Sequence, residues 1–389
     1  MSLNLDKSHW KRVAFGDVVR NVNETVRDLE AAGIDRVIAM EHMDPGELKI
    51  SRWGSSEDGT TFTRRVKPGQ TLFGKRRAYQ RKVAYAEFGA ICSGDIYTFE
   101  ADETQLRGDL LPFLVQSDGF FEHALGTSAG SLSPRTNWRD LKDFEFDLPP
   151  LDEQKRIAHL LWAMENSRQA TGDLHAAATS VREALIESKF VGDGAGTLQD
   201  LCDRDGIRIG PFGAQLHAHD YVDDGDCPVV MPQDMVDGRV STDNIQRITA
   251  ERAEELAVHR LRAGDVLLPR RGELDRRALI TEAESGWLCG TGSVRVRVRD
   301  GVSQRAVYLA LSSATTVKWL KANATGTTMP NLNAGIVARI PISLPSGRRL
   351  AEALQEVDGL DRARAAVAQQ ARSKNALRAA LLAEIFGGE

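Results

Sequence analysis

The sequence predicts an α+β chain built twice over: two globular domains joined by two long antiparallel coiled-coil helices, a pseudo-twofold internal repeat. Three observations carry this expectation. Separated sequence blocks recur at a pitch of about 196 residues. Two long stretches hold a helical apolar stripe, and the remainder alternates short strand-like runs with Gly- and Asp-rich turns.

The repeat is read from order rather than identity. The segment 130–150, GSLSPRTNWRDLKDFEFDLPP, lines up with 326–346, GTTMPNLNAGIVARIPISLPS. Gly130 falls on Gly326, Pro134 on Pro330, Asn137 on Asn333, and Leu148-Pro149 on Leu344-Pro345. Upstream, VKPGQTLFGKRRAYQRKVA (66–84) lines up with LRAGDVLLPRRGELDRRAL (261–279). There Gly69 falls on Gly264, and Arg76-Arg77 falls near Arg270-Arg271. Phe190-Val191-Gly192 falls on Phe386-Gly387-Gly388. A pitch this long exceeds that of a solenoid and implies two copies of a domain-plus-helix unit.

The helices are expected at 152–190 and 348–386. The first carries Ile157, Leu160, Leu161, Met164, Leu174, Ala178, Val181 and Leu185 at 3/4 spacing. Pro149-Pro150 stands where a helix can begin, and Asp152 and Glu153 suit its positive end. The glycines at 192, 194 and 196 end it in a linker. The second helix repeats the stripe from Leu350 to Ile385. Each would run about 38 residues, roughly 57 Å. So narrow a stripe calls for a partner helix. The expected domains are 1–148, helix 149–191, 192–343 and helix 344–389. In the globular parts, strands are expected at Arg36–Met40, Cys227–Met231 and Ser293–Val298, and short helices over 108–125 and 305–322.

Composition excludes several classes. With 42% hydrophobic and 27% charged residues, each half can bury an ordinary core. There is no apolar run of about 18 residues to cross a membrane. The opening MSLNLDKSHWKRV lacks the apolar core of a signal peptide. Cys92, Cys202, Cys227 and Cys289 are scattered, without a C-x-x-C pair, so a reducing cytoplasm is expected rather than a zinc or disulfide framework. The net charge of −5 does not favour nucleic acid, but affinity depends on local phosphate contacts, and the charge is unevenly spread.

Residues 64–82, RRVKPGQTLFGKRRAYQRK, hold eight Lys/Arg and no acid. Arg64, Arg65, Lys75, Arg76, Arg77, Arg81 and Lys82 supply positive charge, with Tyr79 and Gln80 between them. At the matching place stand Arg270, Arg271, Arg276 and Arg277, mixed with Glu273 and Asp275. Arginine forks hold phosphates or the O6/N7 edge of guanine, while Tyr and Gln add base contacts. Arg135, Asn137, Gln215, Asn331 and Asn333 complete the candidate DNA-binding set.

Catalytic motifs fail on inspection. Gly192-Asp193-Gly194-Ala195-Gly196 follows a helix, whereas a nucleotide-binding turn follows a strand. Asp147-Leu148-Pro149-Pro150 lacks the contiguous order of an adenine-methyltransferase motif, and there is no phosphate loop for a motor. His217, His219 and Asp220 lack supporting metal ligands. Glu47-Leu48-Lys49 with Asp35 is too short a pattern to mark a nuclease. No catalytic residue, metal or cofactor is expected in this chain.

Leu148-Pro149-Pro150-Leu151-Asp152-Glu153-Gln154-Lys155-Arg156-Ile157-Ala158 closely resembles the LPPLxEQxxIA signature of type I restriction–modification specificity subunits. Gly210-Pro211-Phe212-Gly213, Gly264-Asp265-Val266-Leu267-Leu268 with Arg271-Gly272, and Leu332-Asn333 add to the resemblance. It implies two target-recognition domains, each reading part of a bipartite double-stranded DNA site, and conserved spacer helices acting as a ruler. The half-sites would lie about one DNA turn apart. It also implies modification subunits that carry the adenine methyltransferase and S-adenosylmethionine, and restriction subunits. Gln154, Arg156 and Ile157 would face a partner subunit. The second copy departs here: LPSGRRLAEAL (344–354) keeps the stripe and loses the Glu-Gln pair. A stand-alone duplicated DNA-binding regulator and a diverged nuclease or methyltransferase are the alternatives.

Overall fold

The computed structural model describes residues 5–128, 130, 133–191, 196–326 and 330–387. The chain divides into two compact units, Met1–Asp173 with Gln369–Glu389, and Leu174–Ala368. The boundary cuts both long helices, so each helix contributes to both units. The linker glycines expected at 192 and 194 lie outside the described residues, as does Gly388.

In the first unit, one sheet runs Val19–Val22, Ile96–Ala101, Thr71–Gly74, Val83–Tyr85, all antiparallel. A second runs Gly54–Ser55, Arg36–Ile38, Ala90–Cys92, Arg64–Val66, and its middle pair is parallel. The segment expected as one short helix is two, Leu111–Val115 and Asp118–Gly126. Ser117 breaks it, because its hydroxyl accepts the Phe120 N–H and caps the second piece.

The second unit repeats this order. Cys202–Ile209, Ser293–Val298, Val266–Pro269 and Ala278–Leu279 form the antiparallel sheet. Gln246–Ile248, Cys227–Val230 and Leu288–Cys289 form the other, again with a parallel pair. Gln304–Leu311 and Ala314–Asn323 are split by Ser313, which caps Thr316 as Ser117 caps Phe120. The strands at 36 and 227 are each shorter than expected, ending at Ile38 and Val230.

The long helices span Leu151–Phe190 and Gly347–Phe386, each beginning one residue before its expected start. Pro150 precedes the first, where its missing N–H costs nothing. In each unit the opening turns of one helix pack beside the closing turns of the other. Ile157, Ala158 and Leu161 join Leu381, Leu382, Ile385 and Phe386 in the first core. Ile186 and Phe190 join Ala353 and Val357 in the second. The helices are therefore antiparallel.

Between these apolar contacts sits the same ion lock twice, with the helices exchanging roles. In the first unit Glu165, 3% exposed, faces Arg378 at 3.5 Å and Arg168 at 2.6 Å. Arg168 reaches on to Glu47 of the globular part at 2.7 Å. In the second unit Asp361 faces Arg182 at 2.5 Å and Arg364 at 3.7 Å, and Arg305 of the globular part completes it. Each member of the second lock lies one repeat pitch from its counterpart on the helices. A lone buried charge is costly, so only the register that pairs every member is tolerated.

Burial opposes the charge on Asp361, but the hydrogen bond from Arg182 and the charges of Arg182 and Arg305 outweigh it, holding the carboxyl below its ordinary value. A depressed carboxylate contributes stability that is fully present above its unfolded value and lost as pH falls through the folded one. Urea midpoints are therefore expected to fall more steeply with pH below about 4 in the native chain than in Asp361→Asn. Parallel pH profiles would reject this role.

Candidate nucleic-acid interface

In the first unit the central strand Thr71–Gly74 runs into the basic turn. Arg77 and Arg81 are both left-handed, at φ 56° and 52°, on either side of a single tight turn, Ala78–Gln80. Such backbone costs roughly 1 kcal/mol or more per residue and persists only where surroundings impose it. Here Lys75 N–H donates to the Asp95 carbonyl at 3.0 Å, Arg77 N–H to Pro134 at 2.8 Å, and Thr136 N–H to Lys75 at 2.9 Å. The result throws Arg77 and Tyr79 outward; Tyr79 is 55% exposed. Arg77 has no side-chain hydrogen bond or ion pair among the described residues.

Beneath them lies Asp95, a residue missed in the sequence because it stands outside the basic run. Its carboxylate meets Arg135 at 3.2 Å and Arg76 at 3.5 Å. Arg76 Nε also donates to Ser133 Oγ at 2.7 Å. One carboxylate thus orients two guanidinium groups and leaves one net positive charge. Lys75 lies over the Tyr97 ring at 4.8 Å, where burial and then the Arg64 charge push its ammonium down from the ordinary value.

The second unit builds the same turn after Val266–Pro269. Arg270 N–H donates to Gly292 at 2.6 Å, and Leu332 N–H to the Arg270 carbonyl at 2.8 Å. Arg271 bridges Asn331 as Arg76 bridges Arg135. Lys75 therefore corresponds to Arg270, Arg76 to Arg271 and Arg77 to Gly272, which also has a positive φ, 76°. This places the correspondence one residue from the paired Arg76-Arg77 and Arg270-Arg271. Arg270 donates to Asn331 Oδ1 at 3.1 Å and stacks 5.3 Å from Phe212, a 51% exposed ring that the candidate set omitted. Arg271 is exposed, with no side-chain partner among the described residues.

Other candidates are occupied elsewhere. Arg277 is buried against the carbonyls of Leu311 and Leu274, and burial pushes its guanidinium down to about 10, so it cannot meet DNA. Arg64 donates to the Ile96 carbonyl, Lys82 to that of Met40, and Arg65 pairs with Glu24. Arg81 pairs with Asp118, and Arg276 with Glu273. Asn333 caps the helix Ala334–Ala338. Gln80 is half-buried, and Asn137 and Gln215 are exposed.

The expected partner-facing residues also need correction. Gln154 is fully buried: its amide accepts from Arg107 N–H at 2.9 Å and donates to the Gln105 and Pro149 carbonyls at 2.8 Å. Ile157 is 4% exposed and belongs to the core. Both fix the helix to its own unit. Arg156 remains exposed, beside Leu160 in a groove of about 450 Å³ that Leu5, His9 and Pro150 also line.

Comparison with known proteins finds relatives of this chain and of its fold. Residues 9–174 match the family model for the "Type I restriction modification DNA specificity domain". The "Type I restriction enzyme EcoDI specificity subunit" of Escherichia coli is 24% identical over 162 residues, 40% of this chain and 36% of that protein. The match thus spans about a third of the curated relative. The solved structure of the S subunit of a type I restriction-modification system from M. genitalium has a TM-score of 0.59 at 16% identity, covering 100% of both chains. A chain from a structure concerning complex assembly and conformational transition of the type I R-M system has a TM-score of 0.58 at 19% identity, covering 97% of this chain and 96% of that one. The duplicated fold is therefore shared along its whole length.

Proposed function

We propose that this chain, whose residues 9–174 belong to the type I restriction modification DNA specificity domain family, is the non-catalytic, sequence-reading subunit of a type I restriction–modification complex. Each unit reads one part of a bipartite double-stranded DNA site. The observation that carries this reading is the basic turn placed twice, by one backbone hydrogen-bond pattern, at the end of a central strand. An exposed guanidinium beside an anchored one suits a phosphate or a guanine edge, and the nearby aromatics Tyr79 and Phe212 suit base contact.

Modification subunits carrying the adenine methyltransferase and its S-adenosylmethionine, and restriction subunits, are the proposed protein partners, in the cytoplasm. No helix among the described residues is long and apolar enough to cross a membrane. Exposed apolar side chains on the long helices, Leu151 and Leu160 in the first unit and Leu174 and Val181 in the second, offer surface for such partners. No cofactor is assigned to this chain.

The test is to co-express the chain with its methyltransferase and map methyladenine. Exchanging residues 197–343 for those of a relative is expected to rewrite one half of the methylated motif and leave the other unchanged. A motif unaltered by the exchange would sink the reading.

A further inference from the structure

The second unit contains a groove with more arginines than its counterpart in the first unit. The groove, of about 540 Å³, is lined by Arg208, Arg260, Arg262, Arg295 and Arg297, with Asp203 and Asp205 at its rim. Arg208 and Arg295 pair side by side on neighbouring strands, and Arg295 and Arg297 alternate with the valines that face the core. The groove therefore opens on the face of the sheet opposite the long helices. It lies toward the start of Val266–Pro269, whereas the basic turn follows that strand's end.

Two of these guanidinium groups are balanced. Arg297 binds Asp265 at 2.6 Å, and Arg260 binds Glu254 at 3.1 Å and the Gly286 carbonyl. The others are not. Arg262 is exposed with no side-chain partner among the described residues, and Arg208 lies 3.8 Å from a largely exposed Asp205. Arg295 is 4% exposed and, among the described residues, donates only to the Val258 and Asp205 carbonyls and leaves Nε without a partner. A buried guanidinium without a carboxylate is costly unless an anion completes it. Burial first, and then the neighbouring Arg297, push Arg295 down against the opposing charge of Asp265, and burial with Arg208 and Arg295 does the same to buried His259.

The duplication supplies a control. Strand register sets Arg295 on Thr98, Arg297 on Glu100 and Arg208 on Val22. At these positions the first unit folds without arginine. Its equivalent groove, about 330 Å³, keeps Arg65 and Lys67 at the places of Arg260 and Arg262, but Glu24 holds both, at 3.0 and 2.5 Å. The shared architecture thus forms in the first unit without arginine at these three places.

We propose that the groove of the second unit binds a phosphodiester of the DNA backbone, as a sequence-independent anchor separate from the basic turn. This rests on the DNA-reading function above. The test uses the full chain, with Arg208→Gln plus Arg262→Gln as the variant and Arg65→Gln plus Lys67→Gln as the control. Affinity is measured against matched and scrambled duplexes over a salt series, with thermal unfolding as the fold check. The variant is expected to bind both duplexes about 10-fold more weakly, with a salt slope shallower by roughly 1–2. The ratio of matched to scrambled binding should not change, and the control should bind as the native chain does. Unchanged affinity and slope in the variant would overturn the anchor and leave the reading function standing. A native chain that binds no duplex would overturn both. Loss of the matched preference alone would make the groove a base-reading surface and reject the proposal. So would native-chain stabilisation by inorganic phosphate, lost in the variant, with duplex binding unaltered.

Discussion

Replacing Glu165 by alanine is expected to destabilise the first unit by about 3 kcal/mol, read as a lower urea midpoint. Glu165 is almost wholly buried between Arg168 and Arg378, whose side chains are only 14% and 16% exposed. Removing it strands Arg378 beside a second cation, while Arg168 keeps Glu47. The loss comes mainly from the uncompensated guanidinium rather than from the missing carboxylate. A second substitution, Arg378→Met, should then recover much of it. That coupling between neighbours is what a double-mutant cycle reads. If the two effects simply add, the lock does not set the helix register.

Replacing Arg76 and Arg77 together by alanine is expected to weaken specific DNA binding about 10- to 100-fold at moderate salt, corresponding to the loss of one or two good fork contacts. The distinctive result is selective. Duplexes scrambled in one half of the site should bind the variant as well as intact ones do, while scrambling the other half still costs affinity. Arg271→Ala should show the converse with a smaller loss, since Gly272 replaces the second arginine of that turn. Equal loss of discrimination in both halves would reject the assignment of one turn to one half-site.

The sequence was most legible where a single element decides the outcome. The long helices were found almost to the residue, because an unbroken stripe and Pro149-Pro150 are local signals. The two basic turns were also legible, but their inner organisation was not. Asp95, Ser133 and Pro134 reach the first turn from distant strands and loops. Arg271 and Arg277 look alike in sequence, yet one is exposed and the other lies under the carbonyls of Leu311 and Leu274. Only the packing of the sheet separates them. Gln154 misled for a related reason. Its strong motif suggested a surface recognised by a partner, whereas its hydrogen bonds tie the helix start to Gln105 and Arg107, about fifty residues earlier.

The first unit draws its final core residues, Leu381, Leu382, Ile385 and Phe386, from the far end of the sequence. At roughly 5–20 residues per second, the ribosome releases this segment some 10–40 s after residue 173. Until then the nascent first unit holds an open apolar seam against Ile157 and Leu161, and Glu165 has no Arg378. Its completion is timed by translation of the second unit, so a stalled or truncated message leaves a first unit whose globular part is made and whose core is still open.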